Sequence, residues 1–428
     1  MSPPRHARQQ HPRSHRSFSM ATSLPVGRLA AAVLIIVLAV AYVVVQFVRP
    51  VPSVTASAST AAAKTSLPGA PVSLAWPSQG EAAIGIEGGG VLGSSGAQTP
   101  TPLASVAKLM TAYLVLRAHP LQATASGPTI TITPADVATY QQDKLAGDSV
   151  VAVRTGEKLS ELQALQALLI PSGDNIAALL ADWVAGSQPA FVAEMNATAG
   201  RLGLTETHYT DASGVTPGTY STATSQVKLA MIDMTMPAFR AIVDMAQVTL
   251  PVAGLQYNVN ALVGKHQIIG VKTGFTTSAG GCFVFAAKTK LDGKPVTLVG
   301  AVLHQYGTTA QPSALTETFD VTLALLASAD HALVRSTVVR RGEVLGTIQA
   351  PWTGSVALES TRDVAFTGLP GQHVSTTVVL PNKVGAPLPA GHPLGKVVVT
   401  LGDEQVTVPL VTARALPAVS LGWRLTDV

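Results

Sequence analysis

The chain has almost no cysteine and unusually few charged residues. Cys282 is the only cysteine among 428 residues, which excludes an internal disulfide framework and any metal cluster built on cysteine ligands. Charged residues make up 12 % of the chain, about half the usual share. Hydrophobic residues reach 47 %, and at this length the chain can form two or three domains.

Acidic residues are missing from the first 80 residues. That stretch contains six arginines and one lysine and no Asp or Glu. Removing these seven positive charges from the formal net charge of +4 leaves the rest of the chain at about −3. The basic character therefore belongs to the N-terminal tail, and no basic patch indicates a nucleic-acid partner.

The longest uncharged apolar run lies close to the N-terminus. Leu29 to Val48 carries no charged side chain and as a helix would be about 30 Å long, enough to cross a membrane. Positive charge is concentrated before this run, which predicts a cytoplasmic tail at 1–28, a transmembrane anchor at 29–48 and an extracytoplasmic remainder. The charges before it are Arg5, Arg8, Arg13, Arg16 and Arg28.

A cleavable signal peptide is the alternative to an anchor. The sequence "TASA", Thr55 to Ala58, has small residues at a spacing suitable for cleavage. The apolar run is longer than a usual signal segment, which favours the anchor. The protein would be secreted if cleavage occurred, so both interpretations put the bulk of the chain outside the cytoplasm.

Composition divides the remainder into three parts. Residues 49–75, rich in Ala, Ser, Thr and Pro, are predicted to be a flexible linker. Residues 76–336 show strand patterns at both ends and helical patterns between them, which predicts an α/β (α+β) domain with a mixed sheet covered by a helical cluster. Residues 337–428 contain short β-branched runs separated by Gly and Pro and are predicted to form a small all-β domain.

The stretch "SVAKLMTAYLVLRAH" is predicted to form a helix from Ser105 to His119. Residues three apart share one face of a helix, so the hydroxyl of Ser105 and the amine of Lys108 can meet. The start of a helix favours the negative charge that develops on a serine nucleophile. Lys108 can act as its base if it is neutral when it acts, and burial and a second nearby cation both favour the neutral form.

Two further motifs follow Ser105 along the chain. Ser172 lies in "PSGDN", at a predicted break between two helices, where its hydroxyl can point into a cleft. "VKTG" contains the only Lys-Ser/Thr-Gly of the chain, at the end of an apolar strand, and Lys272 is the candidate second cation. A second Ser-x-x-Lys pair, Ser225 and Lys228, is not followed by the same two motifs in order and is interpreted as ordinary helix surface.

In this order the three motifs resemble the signature of serine penicillin-recognising enzymes. The segments "FVAEMNATAGRLGLTETHYTDASG" and "KTGFTTSAGGCFVFAAK" resemble the D-alanyl-D-alanine carboxypeptidases, the low-molecular-mass penicillin-binding proteins. "PLGKVVVTLGDEQVTVPLV" resembles the β domain that follows their catalytic domain. The resemblance covers about residues 76–428 and implies a penicillin-binding or β-lactamase-like transpeptidase fold for 76–336.

The resemblance implies a serine DD-peptidase that needs no metal or cofactor. Ser105 would be the acylated nucleophile, Lys108 its general base, and Ser172 the relay of a proton to the leaving D-alanine. The substrate would be the peptidoglycan stem pentapeptide, whose terminal D-alanine is removed, which limits cross-linking of the cell wall. β-Lactams would be its inhibitors.

The resemblance also implies a set of substrate-binding residues on one strand. Lys272 and Thr273 would meet the terminal carboxylate of the substrate, with Gly274 beside them. The backbone N–H groups of Ser105 and Phe275 would form the oxyanion hole, in which such donors lower a barrier by about 3–4 kcal/mol.

The chain departs from the family pattern in the second motif. The family has Asn at the third position, whereas this chain has Asp174 there and Asn175 one step later. An aspartate lacks the amide donor, and a carboxylate in the cleft would stabilise a lysine ammonium and oppose its role as a base. Either Asn175 takes the position by a local shift, or Asp174 occupies it with an altered substrate preference. Asp174 is retained as a site residue.

Two alternatives to the peptidase remain open. A β-lactamase would share the first and third motifs, but class A enzymes add a Glu-x-x-Leu-Asn string that is missing here. A homologue that binds penicillin and peptidoglycan without turnover is conceivable because of Asp174. Other hydrolases are disfavoured, since the sequence contains neither Gly-x-Ser-x-Gly nor His-Glu-x-x-His. Endopeptidase side activity and oligomeric state are left undetermined by the sequence.

Overall fold

The computed structural model describes residues 26–59, 63–307 and 313–426. Most of the predicted cytoplasmic tail, residues 1–25, lies outside the described residues. The helices are α1 Val26–Val48, α2 Lys108–Ala118, α3 Pro134–Ala146, α4 Glu161–Leu169, α5 Asp174–Ala185, α6 Gln188–Arg201, α7 Ala223–Asp233, α8 Pro237–Val243, α9 Ala314–Ala332 and α10 Leu421–Thr426.

The strands are distributed over two larger sheets and several short pairs. They are β1 Thr55–Ala58, β2 Glu81–Ile86, β3 Gly90–Ser95, β4 Thr101–Pro102, β5 Thr129–Thr131, β6 Lys158–Ser160, β7 Tyr220–Ser221, β8 Gln247–Leu250, β9 Gly254–Tyr257, β10 Ile268–Thr276, β11 Gly280–Leu291, β12 Lys294–Gln305, β13 Val334–Val339, β14 Val344–Ala350, β15 Gly354–Ser360, β16 Val364–Gly368, β17 Val374–Val379, β18 Pro393–Leu401 and β19 Glu404–Thr412.

The first larger sheet has five strands in the order β10-β11-β12-β2-β3. The prediction that strands from both ends of the region join under a helical cluster is confirmed. The sheet is antiparallel rather than mixed, since all four of its pairings run antiparallel. Strands β10 to β12 follow one another through tight turns, and such connections reverse the chain direction. Strand β10 lies at the edge of this sheet.

Helices cover both faces of the five-stranded sheet. Alternate residues of β11 point to opposite faces, so that Val284 packs into the core beneath the helical cluster while Phe283 and Phe285 pack with Leu325 of α9 on the other face. Helix α2 is buried on every side from Lys108 to Leu116, as expected of an all-round apolar helix at the centre of a domain.

The second larger sheet forms a C-terminal β region. Its order is β1-β14-β15-β19-β18-β17, and β13 pairs with β16 beside it. In β18 and β19 alternate residues enter the core, among them Val397, Val399, Val408 and Leu410. The prediction of an all-β C-terminal fold is confirmed, with the short helix α10 added at its end.

Part of the segment expected to be a flexible linker is ordered in the structure. Strand β1 pairs with β14 over Thr55–Ala58, and Leu67 is buried with its backbone N–H bonded to Gln372 O at 2.9 Å. Val54 is buried in the same core. A composition of small residues predicted a linker, but two apolar side chains gain enough burial to hold it on the β region.

Helix α1 is the one unbroken helix among the described residues that is long and apolar enough to cross a membrane. It has a mean hydropathy of 2.8 over 18 residues, and 6 % of that window is buried in the protein. A membrane anchor and a signal sequence share these properties.

Candidate active site

Ser105 lies in a 3-10 turn that leads into the buried helix α2. The turn spans Ala104–Ala107, and α2 begins at Lys108. The helix predicted from Ser105 to His119 is therefore present, with a tighter first turn. Because α2 is surrounded by the core, Lys108 has no exposed surface, whereas Ser105 is partly exposed. A buried ammonium needs hydrogen-bond partners within the protein.

The amine of Lys108 brings three side chains together. Its Nζ lies 2.8 Å from Ser105 Oγ, 3.3 Å from Ser172 Oγ and 2.5 Å from Asp174 Oδ1. The first two motifs of the sequence thus meet at one nitrogen atom.

Ser172 lies in the break between α4 and α5, as the sequence predicts. Its φ of 68° is in the left-handed region, which non-glycine residues seldom adopt. The following Gly173 donates its N–H to Ala167 O at 3.0 Å, and an ideal Cβ on Gly173 would lie 2.9 Å from side-chain atoms of Ile176 and Val151. This tight turn directs the Ser172 hydroxyl toward Lys108.

Asp174 and Asn175 point to different places. Asp174, the first residue of α5, contacts Lys108 and accepts a hydrogen bond from Ser149 N at its Oδ2, 3.0 Å away. The Asn175 side chain accepts from Val151 N and donates to Val151 O, both at 2.9 Å. The structure therefore has the aspartate, and not the asparagine, beside the lysine.

The Lys-Thr-Gly motif lies on the edge strand β10, next to the turn that carries Ser105. An ideal Cβ on Gly274 would lie 3.0 Å from Ser105 N and 2.9 Å from Leu103 O, so glycine is what permits this approach. Lys272 and Thr273 precede it and are both buried. The third motif thus borders Ser105 directly.

Lys272 is a second buried lysine near Lys108. Burial lowers the pKa of Lys272 well below its usual range; the charge of Lys108 lowers it further, and the charge of Asp174 opposes both. Its Nζ donates to Thr273 O at 2.9 Å. Lys108 and Lys272 are thus both buried and interact electrostatically.

Two further acidic side chains, Asp143 and Asp148, interact electrostatically with Lys108 and Asp174. Burial raises the pKa of Asp148, and the charge of Asp174 adds to this while Lys108 opposes it. Burial likewise raises the pKa of Asp143, with further contributions from Asp148 and Asp174 and opposition from Lys108. Asp174 thus interacts electrostatically with both lysines and with two further carboxylates.

A cleft of about 300 Å³ joins the three motifs. Ser105, Ser172 and the Thr273–Thr276 part of β10 all line it, so a small peptide end can reach them together. The cleft is lined by Ser105, Gly147, Asp148, Ser149, Ser172, Asp174, Gly214, Val215, Val259, Thr273, Gly274, Phe275, Thr276 and Leu315.

One wall of this cleft was not predicted from the sequence. It is the loop that contains Asp211 and Gly214. Asp211 accepts hydrogen bonds from Ser213 N at 2.8 Å and from Gly214 N and the Thr216 hydroxyl. Burial alone would raise the pKa of Asp211, but these hydrogen bonds lower it. A Cβ on Gly214 would collide with Ala104 O. The string "DASG" was a detectable signal, because Asp followed by Ser and Gly is typical of a side-chain-capped turn.

Comparison with known proteins agrees with this geometry. The D-alanyl-D-alanine carboxypeptidase family model matches residues 74–304, which includes all three motifs. D-alanyl-D-alanine carboxypeptidase DacD of Salmonella typhimurium is 27 % identical over 346 residues, which is 76 % of this chain and 82 % of that protein. D-alanyl-D-alanine endopeptidase of Escherichia coli is 33 % identical over 214 residues, 48 % of this chain and 64 % of its own length.

A solved structure shares the fold beyond the matched family region. Penicillin binding protein 6B of Escherichia coli aligns with a TM-score of 0.60 and 22 % identity, covering 82 % of this chain and 100 % of that one. At this identity the likeness concerns the fold, and it includes the β region that follows the five-stranded sheet.

Proposed function

This chain belongs to the D-alanyl-D-alanine carboxypeptidase family and is a serine-type hydrolase of that class, and we propose that Ser105 is its nucleophile and Lys108 the base. The reaction is removal of the terminal D-alanine from peptidoglycan stem peptides. The observation that carries the proposal is the contact of 2.8 Å between Lys108 Nζ and Ser105 Oγ at the edge of a cleft that Thr273 also lines.

Acylation begins with transfer of the Ser105 hydroxyl proton to a neutral Lys108. The Ser105 Oγ then forms a bond to the carbonyl carbon of the penultimate D-alanine, and the carbonyl electron pair moves to oxygen. The backbone N–H groups of Ser105 and Phe275 are the proposed donors to this oxyanion, and removal of one such donor typically costs about 3–4 kcal/mol.

Collapse of the tetrahedral intermediate breaks the peptide bond. The proton held by Lys108 returns through Ser172, whose Oγ is 3.3 Å from Lys108 Nζ, to the departing amine of D-alanine. Water then attacks the ester carbonyl while Lys108 takes a proton from the water. The bond between the acyl carbon and Ser105 Oγ breaks, Lys108 returns the proton to Ser105 Oγ, and the shortened peptide leaves with its new carboxylate.

Strand β10 is the proposed docking edge for the substrate. An extended peptide can add to the free edge of a sheet through main-chain hydrogen bonds. The Thr273 hydroxyl then reaches the terminal carboxylate beside Gly274. A carboxylate near Lys272 would favour the ammonium form of that lysine, so substrate binding and the charge on Lys272 are coupled.

The test uses the full chain in detergent micelles and a stem peptide that ends in D-alanyl-D-alanine. Free D-alanine is measured, and a fluorescent penicillin reports acylation. We expect stoichiometric labelling on Ser105, found by peptide mass, and D-alanine release that is lost in Ser105→Ala. The matched control is Ser225→Ala, in the other Ser-x-x-Lys pair. Ser225 is buried and not on the helix surface as predicted, but it does not line the cleft, so both readouts should be unchanged.

Three other outcomes would contradict this assignment. Persistent label without D-alanine release favours a binder without turnover. Rapid loss of label as ring-opened penicillin favours a β-lactamase. A cross-linked peptide dimer cleaved faster than the monomeric peptide favours an endopeptidase, the activity named for one relative of this chain.

We propose that α1 is an uncleaved membrane anchor with the N-terminus in the cytoplasm. Arg28 and the arginines before it flank the cytoplasmic end. Cleavage after Ala58 would remove strand β1 and Val54 from the β region, where they pair with β14 and fill its core.

The boundary between the peptidase domain and the β domain is proposed between α9 and β13, near Leu333 rather than residue 336, because β13 already pairs with β16.

A further inference from the structure

The contacts of Lys108 match those of a charged lysine. An ammonium group has three N–H donors and no lone pair. Lys108 Nζ has three acceptors within hydrogen-bond distance, namely Ser105 Oγ, Ser172 Oγ and Asp174 Oδ1. A base that is ready to deprotonate Ser105 needs a lone pair directed at Ser105 Oγ in place of one N–H. The three acceptors together can satisfy every N–H donor of an ammonium group at Lys108.

Two hydrogen bonds hold Asp174 in place at the start of α5. It is the first residue of α5, where the helix N-terminus stabilises negative charge. Its Oδ2 accepts from Ser149 N at 3.0 Å, and its own N–H donates to Ser149 O at 2.7 Å. These two bonds fix the carboxylate against Lys108, with both groups almost fully removed from solvent.

Other charged groups face Lys108 from the elements packed around it. Lys272 on β10 opposes its charge, while Asp143 at the end of α3 and Asp148 in the following loop favour it. Among the residues described, Asp174 is the only carboxylate within hydrogen-bond distance of Lys108. An asparagine at this position would keep an acceptor for Lys108 and remove the charge, while it would lose the acceptor for Ser149 N.

We propose that Asp174 is a positioning residue that holds Lys108 in its ammonium form and so sets the pH above which Ser105 can be acylated. The inference rests on the roles proposed above for Ser105 and Lys108. One proton must leave the Lys108–Asp174 pair for water in the cleft, which Asp174 lines. Only then can the free lone pair of Lys108 take the proton of Ser105 as the new C–O bond forms.

The experiment compares the rate of penicillin acylation as a function of pH in the wild-type chain and in Asp174→Asn. We expect the acid limb of the variant to move by about one pH unit or more toward lower pH, which equals about a tenfold gain in rate on that limb. A merely structural role would lower the rate at all pH values without moving the limb. Asp148→Asn is the matched control, since it removes a nearby carboxylate that makes no hydrogen bond to Lys108, and it should move the limb much less.

The inference is overturned if the acid limbs of wild type and Asp174→Asn coincide, or if the variant keeps its thermal transition but is not acylated at any pH. Should Asp174→Asn fail to fold, Asp174→Ser provides the same comparison with an uncharged side chain. In each of these cases, Ser105-dependent labelling of the wild type leaves the proposed function standing. Failure of that function has a different signature, namely no labelling of the wild type or labelling that survives in Ser105→Ala.

Discussion

Gly274 lies so close to Ser105 that a methyl side chain at position 274 would push the two residues apart: an ideal Cβ on Gly274 lies 3.0 Å from the Ser105 amide nitrogen. The nearest atoms are the backbone atoms Leu103 O and Ser105 N and the Cβ of Ala104, and no side-chain rotation can move them away. This contact joins strand β10, the proposed docking edge for the substrate, to the turn that carries the proposed nucleophile.

Gly274→Ala should therefore disable the site with little effect on the fold. Displacing β10 from the Ser105 N–H disrupts the proposed oxyanion hole, and we expect acylation by penicillin to slow by about 10²-fold or more. The matched control is Gly200→Ala, a helical glycine with open space around its Cβ, which should be acylated at the wild-type rate. Equal rates in the two variants would contradict the importance of the contact.

Asn175→Ala should reduce stability more than it alters chemistry. The substitution leaves the buried N–H and C=O of Val151 without their partners, and we expect a loss of about 2–4 kcal/mol in the free energy of unfolding. Urea unfolding measures this, with Asn382→Ala on the surface of the β region as the control. A variant of unchanged stability that cannot be acylated would instead give Asn175 a role in the cleft.

Glu161→Gln should change how stability depends on pH. Burial raises the pKa of Glu161 from 4.5 to about 7, and neither carboxyl oxygen has a hydrogen-bond partner among the described residues. The folded state thus binds this proton more tightly than the unfolded state. Its stabilising contribution is complete below pH 4.5 and is lost as pH rises through about 7.

The side chain of Glu161→Gln does not ionise, so the variant does not lose stability at this position as pH rises. Relative to wild type, its free energy of unfolding should rise between pH 5 and pH 8 by up to about 3 kcal/mol. Unfolding curves at both pH values measure the difference, and the exposed Glu206→Gln serves as the control. Parallel pH dependence in wild type and Glu161→Gln would show that the carboxyl is ionised in the fold.

Cys282 should be inert to thiol reagents until the protein unfolds. It lies opposite Gly274 in the β10–β11 pair, has no exposed surface, and burial raises its pKa to about 12. Since the thiolate is the reactive form, iodoacetamide at pH 8 should leave the folded chain unmodified and label it fully in denaturant. Mass spectrometry measures the labelling, and rapid labelling of the folded chain would mean that this strand pair opens readily.

The mature protein should retain residues 54–58. Strand β1 pairs with β14 along its whole length, so a chain that begins at residue 59 should have a lower melting temperature than one that begins at residue 50. N-terminal sequencing of the protein from membranes decides between anchor and signal peptide. A mature N-terminus after Ala58 together with unchanged stability would refute the anchor.

Local patterns were sufficient for most of the elements. The helix predicted at Ser105–His119 matches α2 and its preceding turn within a few residues, and the helix break at Ser172 and the apolar strand that carries Lys-Thr-Gly are also present, because their hydrophobic patterns agree with their final burial. The sequence did not predict that the five-stranded sheet is antiparallel. It also did not predict that part of the segment 49–75 forms strand β1 of the β region. Val54, the strand Thr55–Ala58 and Leu67 lie in a stretch with the composition of a linker, and only the partner strand β14 and the core beneath it make them part of the fold.

The sequence by itself determined the order of the three motifs, the Ser105–Lys108 spacing within one helical turn, and the charge difference between aspartate and asparagine in the second motif. Tertiary structure decided which of Asp174 and Asn175 faces the lysine. Successive residues of a helix are rotated by about 100°, so the packing of α5 against α2 and the loop at Ser149 directs the first side chain into the cleft and the second onto Val151. No local pattern encodes that rotation, because it depends on where two other parts of the chain are held.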